Sequence, residues 1–155
     1  MKTCLSTLAL SLCLFLAACG GDEKIGVSYL GLNYTDKNIV SVVVNGEGGI
    51  LDVPAQGGGG GIVCCVVIPK KWRPGLKVTI KWQEDDIPVF DDKGKRVIKN
   101  GIPVVIESPW KERTVEVPDY KTMGEFYIVF FPNEVVKVAV SNGLPAIAET
   151  PHAPS

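Results

Sequence analysis

From residue 25 onward, apolar and polar positions alternate with a period of two. Lys77-Val78-Thr79-Ile80-Lys81-Trp82 shows it most clearly: Val78, Ile80 and Trp82 share one face, and Lys77, Thr79 and Lys81 the other. Phe126, Ile128 and Phe130 repeat the pattern, as do Val136, Val138 and Val140. Runs dense in Val, Ile, Tyr, Phe and Trp predict strands over 25–34, 38–45, 62–68, 76–83, 101–106, 113–117, 125–131 and 135–141. Turn signals separate them: Thr35-Asp36-Lys37-Asn38, Asn45-Gly46, Arg73-Pro74-Gly75, Asp92-Lys93-Gly94, Asn100-Gly101 and Pro132-Asn133. No window of helical length carries an apolar stripe at 3.6-residue spacing. The expected fold is therefore all-β, a small antiparallel β-sandwich of immunoglobulin-like type, with a small β-barrel as the alternative.

The first residues break the alternation. Lys2 precedes an apolar run from Leu5 to Leu16, and the small residues Ala17-Ala18 stand before Cys19. Charge, apolar core and small residues in that order predict a secretory signal over 1–18, the run being shorter than the roughly 20 residues that span a bilayer. Leu16-Ala17-Ala18-Cys19 resembles the lipobox of bacterial lipoproteins. That resemblance implies cleavage before Cys19, lipidation of its Sγ and acylation of the new amine, with anchoring by several acyl chains. Gly20 in place of an Asp favours the periplasmic face of the outer membrane. Residues 19–24 then form a tether, 25–142 the β domain, and 143–155, with Pro145, Pro151 and Pro154, a tail expected to be disordered.

Composition narrows the function classes. Losing 18 of 155 residues leaves enough chain for one domain, and losing Lys2 moves the net charge from −1 to −2. A nucleic-acid-binding role is excluded by that balance. Of the five cysteines, Cys4 and Cys13 leave with the signal and Cys19 is lipidated, so Cys64 and Cys65 remain. They are adjacent in a predicted strand and in an oxidising compartment. They either form a vicinal disulfide, which would bend the strand as a bulge, or remain thiols or pair with another molecule. Two cysteines without a histidine cluster do not complete a metal site, and no cofactor motif is present.

Gln56 and Gly57–Gly61 lack the Lys-Ser/Thr of a phosphate loop and are expected to be a pliable connector, or a loop whose bare backbone meets a partner. Trp72-Arg73, between two strong strands, reads as an aromatic anchor for a partner or as a plug over the end of the sandwich. Asp85-Asp86 belong to an acidic stretch without an EF-hand pattern, either solvated or facing a basic partner. The single histidine, His152, lies in the predicted tail, which leaves a Ser-His-Asp or Cys-His device without a base. The chain is not expected to be an enzyme.

Several stretches together carry a resemblance: Tyr29-Leu-Gly-Leu-Asn-Tyr-Thr-Asp36, Ile39 to Gly46, the glycine run leading to Cys64-Cys65, Lys71-Trp72-Arg73-Pro74-Gly75-Leu76, Thr114-Val-Glu-Val-Pro118 and Phe130-Phe-Pro132. They resemble an uncharacterised family of small proteobacterial lipoproteins often encoded beside type VI secretion genes, notably those for phospholipase effectors. The resemblance implies an immunity-type lipoprotein that binds and neutralises a secreted lipase-type effector. On that expectation Trp72, Arg73, Asp85 and Asp86 are candidate partner contacts. A structural or assembly lipoprotein of the envelope is the alternative.

Overall fold

The computed structural model describes residues 23–49 and 52–148. Strands follow in the order β1 (Lys24–Asn33), β2 (Ile39–Val44), β3 (Glu47–Gly49), β4 (Gly57–Pro69), β5 (Lys77–Glu84) and β6 (Ile87–Pro88). Then come β7 (Ile98–Lys99), β8 (Ile102–Pro103), β9 (Val105–Ile106), β10 (Lys111–Glu116), β11 (Glu125–Phe131) and β12 (Val135–Ser141). One four-stranded sheet has the order β12-β11-β1-β4 and the other β10-β5-β2-β3. The protein is all-β, a small β-sandwich, and neither sheet closes into a barrel. Pairing is antiparallel except between β1 and β11, which run parallel with Tyr29 opposite Phe126 and Asn33 opposite Phe130.

The period-two pattern makes the core. In β5 Val78, Ile80, Trp82 and Glu84 are buried while Lys77 and Lys81 are exposed. Across the gap stand Tyr29, Phe126, Ile128 and Phe130, with Trp82 tilted against Phe130 at 5.7 Å between ring centres. Tyr29 also ties the sheets together. Its hydroxyl donates to Val42 O at 3.3 Å and accepts from Gly49 N at 3.0 Å, both on the opposite sheet. Burial pushes this phenol above its ordinary pKa, and the Gly49 N–H offsets part of the rise.

Two more buried polar groups hold loops and sheets together. Asn33 accepts from Thr35 N and Oγ1, while its amide donates to carbonyls of Lys37, Val53 and Pro54. Glu84, 7 % exposed, meets Lys111 Nζ at 2.6 Å and Lys37 Nζ at 3.2 Å. Lys111 also reaches Glu134 at 3.4 Å, and Glu134 pairs with Arg113 at 2.5 Å. The network joins the β5–β10 edge of one sheet to the β11–β12 turn of the other. Burial alone would raise the Glu84 pKa, but the hydrogen bonds and charges of Lys111 and Lys37 outweigh it and hold the carboxyl below its ordinary range.

Several expectations need correction. Residues 57–61 are not a connector: they open β4, where Gly57, Gly58 and Gly59 lie opposite Asn33, Leu32 and Gly31. A Cβ on Gly58 would stand 2.8 Å from Leu32 Cδ2, the mobile end of that side chain, which would have to shift. The expected bulge at the cysteines is present, because Val27 pairs with Val66 while Tyr29 pairs with Val63. β3, β6 and β7 were not anticipated, and the strand expected over 101–106 is two short pieces in different small sheets. Of the tether 19–24, Lys24 already belongs to β1. The tail expected to be disordered from 143 instead begins with a buried Pro145 and a 3-10 turn at Ala146–Ala148. Cys19, the signal 1–18 and residues 149–155 lie outside the described residues.

Candidate partner-binding surface

Between β5 and β10 the chain leaves the sandwich and returns, and residues 87–106 build a small unit of their own. Its centre is a closed ring of backbone hydrogen bonds. Val89 N donates to Val104 O (3.1 Å), Val104 N to Val97 O (2.9 Å), and Val97 N to Val89 O (2.9 Å). Three two-stranded pieces radiate from it. The stem pairs Ile87 with Ile106 and Pro88 with Val105. A second piece pairs Phe90 with Arg96 and closes through Asp91, whose Oδ1 accepts from Lys93 N (2.9 Å) and Lys95 N (2.8 Å). In the third, Ile98 faces Pro103 and Lys99 faces Ile102 across Asn100-Gly101. Both turn residues have positive φ, 53° and 79°, as a two-residue hairpin turn requires.

This three-armed unit is short of burial. Seven of the eleven exposed large apolar side chains among the described residues, from Ile87 to Trp110, lie on it or on the segment leaving it, so the apolar surface is concentrated here. Ile98 (59 % exposed) and Ile102 (69 %) flank the narrow Asn-Gly tip. A concentration of this kind makes the unit the candidate contact surface.

The neck is polar. Asp85 accepts from Asn38 Nδ2 at 2.6 Å, and Asp86 Oδ1 accepts from Ser108 N at 3.3 Å. Gln83 Nε2 donates to Ser108 O at 2.7 Å and Glu107 Oε1 at 3.1 Å. Outgoing and returning chains are thus clamped together beside a groove of about 1160 Å³ bordered by Lys37, Val40, Arg96 and Val105. Asp85 and Asp86 line that groove, but their bonds are those of residues that fix the neck.

Trp72 takes the plug position. It packs against the core, half-buried, and its Nε1 donates to Val117 O at 2.8 Å. Arg73 beside it is exposed. The structure does not bring Trp72-Arg73 together with Asp85-Asp86: the first pair precedes β5 and the second follows it. Eight strand residues, roughly 25 Å, separate the two ends. A contact surface holding all four would have to run the length of β5. Cys64 and Cys65 are joined by a disulfide across a cis peptide bond on β4, with Cys64 exposed. Among the described residues no group of His, Cys, Asp and Glu could hold a metal ion.

The sequence reading missed the three-armed unit, although both of its turn signals were visible. Val104-Val105-Ile106 reads as a buried run, and nothing in a period-two pattern announces that a strand is too short to reach a second layer.

No curated protein and no solved structure matches the chain. A family does: residues 32–138, from the end of β1 into β12, match it, and that span holds the vicinal cysteines, Trp72 and the whole three-armed unit. With well over half its length covered, the chain belongs to the family described as Protein of unknown function (DUF3304).

Proposed function

We propose that this protein is a lipid-anchored binding module of the cell envelope, without catalysis of its own, that neutralises a secreted lipase-type effector through the three-armed unit. The observation that carries the reading is the exposed Ile98–Ile102 tip on a hydrogen-bonded frame. A short, stiff hairpin loses little freedom on docking, and its two aliphatic side chains gain from entering an apolar cleft. The lipobox supplies the address, and the resemblance to lipoproteins encoded beside phospholipase effectors supplies the partner class. Inhibition would be steric, with the tip filling the mouth of the effector's site and the polar neck forming the rim.

The test expresses a phospholipase effector encoded beside this gene in the periplasm of a sensitive host, with and without this protein. Protection is expected with the natural chain and is lost with Ile98→Asp/Ile102→Asp. Each removed isoleucine lowers affinity by about tenfold or more. Both side chains are exposed, so the urea midpoint of the variant should match the natural chain. Equal killing with and without the natural chain, both proteins being present, refutes the inhibitory role. Full protection by the double variant refutes the tip as contact.

A further inference from the structure

At the end of the sandwich opposite the three-armed unit, the chain enters β1. Lys24 pairs with Pro69, and Lys70 N donates to Glu23 O at 2.7 Å. A concavity of about 510 Å³ is bordered there by Glu23, Lys70, Lys71, Lys121 and Met123. Lys77 stands opposite Glu116 nearby, and Arg73 lies on the loop between. Lys24, Lys70, Lys71, Arg73, Lys77 and Lys121 are all exposed. The described acidic residues among these are Glu23, ion-paired with Lys70, Asp119, ion-paired with Lys121, and Glu116, and Asp22 precedes Glu23 in the sequence. Basic groups are in excess here although the chain as a whole carries −1.

Where this end sits follows from chain length. Four residue steps separate Cys19 from Glu23, and fully extended they span at most about 14 Å. An acyl anchor at Cys19 therefore keeps the basic end within about one to two screening lengths of the headgroups. We propose that this end is a docking face for anionic phospholipid headgroups, which holds the sandwich upright and turns the three-armed unit away from the bilayer. The proposal rests on lipidation at Cys19. Juxtamembrane lysines and arginines are attracted to an anionic surface, each contributing separately, and the attraction fades with salt.

The experiment reconstitutes the mature protein in vesicles of phosphatidylcholine, alone or mixed with phosphatidylglycerol, and labels amines with a membrane-impermeant reagent. On the anionic vesicles Lys24, Lys71 and Lys121 should label about fivefold more slowly than on the neutral ones. Lys93 and Lys95, on the three-armed unit, should label equally on both. High salt should erase the difference, and Lys71→Glu/Lys121→Glu should restore labelling of Lys24. Equal labelling of the basic end on both vesicles overturns the docking face. Intact mass separates the two claims. A chain without acyl groups would refute the anchor alone, and the face would then still have to co-sediment the chain with anionic but not neutral vesicles. Failure to do so overturns it as well.

Discussion

Replacing Lys111 by Met tests the energetic reading of the sandwich end. The substitution keeps the stem of the side chain and removes its charge. Glu84, 7 % exposed, then keeps only Lys37 at 3.2 Å, and Glu134 keeps Arg113. Breaking one partner of a buried ion pair costs roughly 3–5 kcal/mol, because the remaining charge is left poorly compensated. Lys37 remains and Lys111 is itself partly exposed, so the lower end, about 3 kcal/mol, is expected. For a domain of this size that is a fall in Tm of roughly 10 °C.

The pH dependence has a fixed sign. The folded-state pKa of Glu84 is depressed, so its contribution is present above the ordinary carboxylate pKa and is lost as pH falls through the folded value. Lys111 is the mirror case. Burial alone would lower its pKa, but Glu84 and Glu134 raise it, so its contribution is present below the ordinary lysine value and is lost as pH rises through the folded one. The deficit of Lys111→Met should therefore be largest near neutrality and shrink in acid, where Glu84 is neutral in both proteins. Urea unfolding at neutral and acidic pH, read as midpoint shifts at constant slope, measures it. A deficit under about 1 kcal/mol at neutral pH, or one that does not shrink in acid, refutes the assignment of Glu84–Lys111 as a stabilising buried pair at the β5–β10 edge.

Tyr29→Phe leaves Gly49 N–H and Val42 C=O without their cross-sheet partner and should cost about 1–3 kcal/mol by urea unfolding; no change would mean that the hydroxyl contributes nothing net. Gly124→Ala places a Cβ 2.4 Å from the carbonyl of Ser141, backbone that cannot swing aside, and a loss of about 2 kcal/mol or more is expected; an unchanged midpoint would show that the β11–β12 end yields easily. Trp72→Ala should lower Tm by removing core packing and the bond to Val117, without changing partner affinity once the folded fraction is corrected. An affinity loss at unchanged Tm would return Trp72 to the list of contacts.

The sandwich was legible because its strands bury one face each: Val78, Ile80 and Trp82 declare themselves by alternation, and β11 and β12 begin and end where the pattern does. Glycine defeated the same reasoning. Five consecutive residues without side chains look like a connector, yet they open β4 and Gly57, Gly58 and Gly59 pair with β1. The site was less legible. Trp72 and Asp85 are chemically conspicuous, but the bonds to Val117 and Asn38 give both a fastening role that only long-range pairing reveals. Ile98 and Ile102 look like ordinary core residues, and exposure is a property of what fails to cover them.

The parallel pairing of β1 with β11 sets the order in which the domain is completed. β1 is the first of the described strands to be synthesised and lies inside its sheet, with β4 on one side and β11 on the other. Tyr29 finds Phe126 only after ninety-seven further residues have emerged, and Asn33 finds Phe130 no sooner. Closing so long a loop is entropically costly before any contact rewards it, and such topologies fold slowly. For the lipoprotein proposed above, which would cross a membrane before folding, such a delay would be an advantage. β1 has no neighbour on its β11 side until the last hairpin is made.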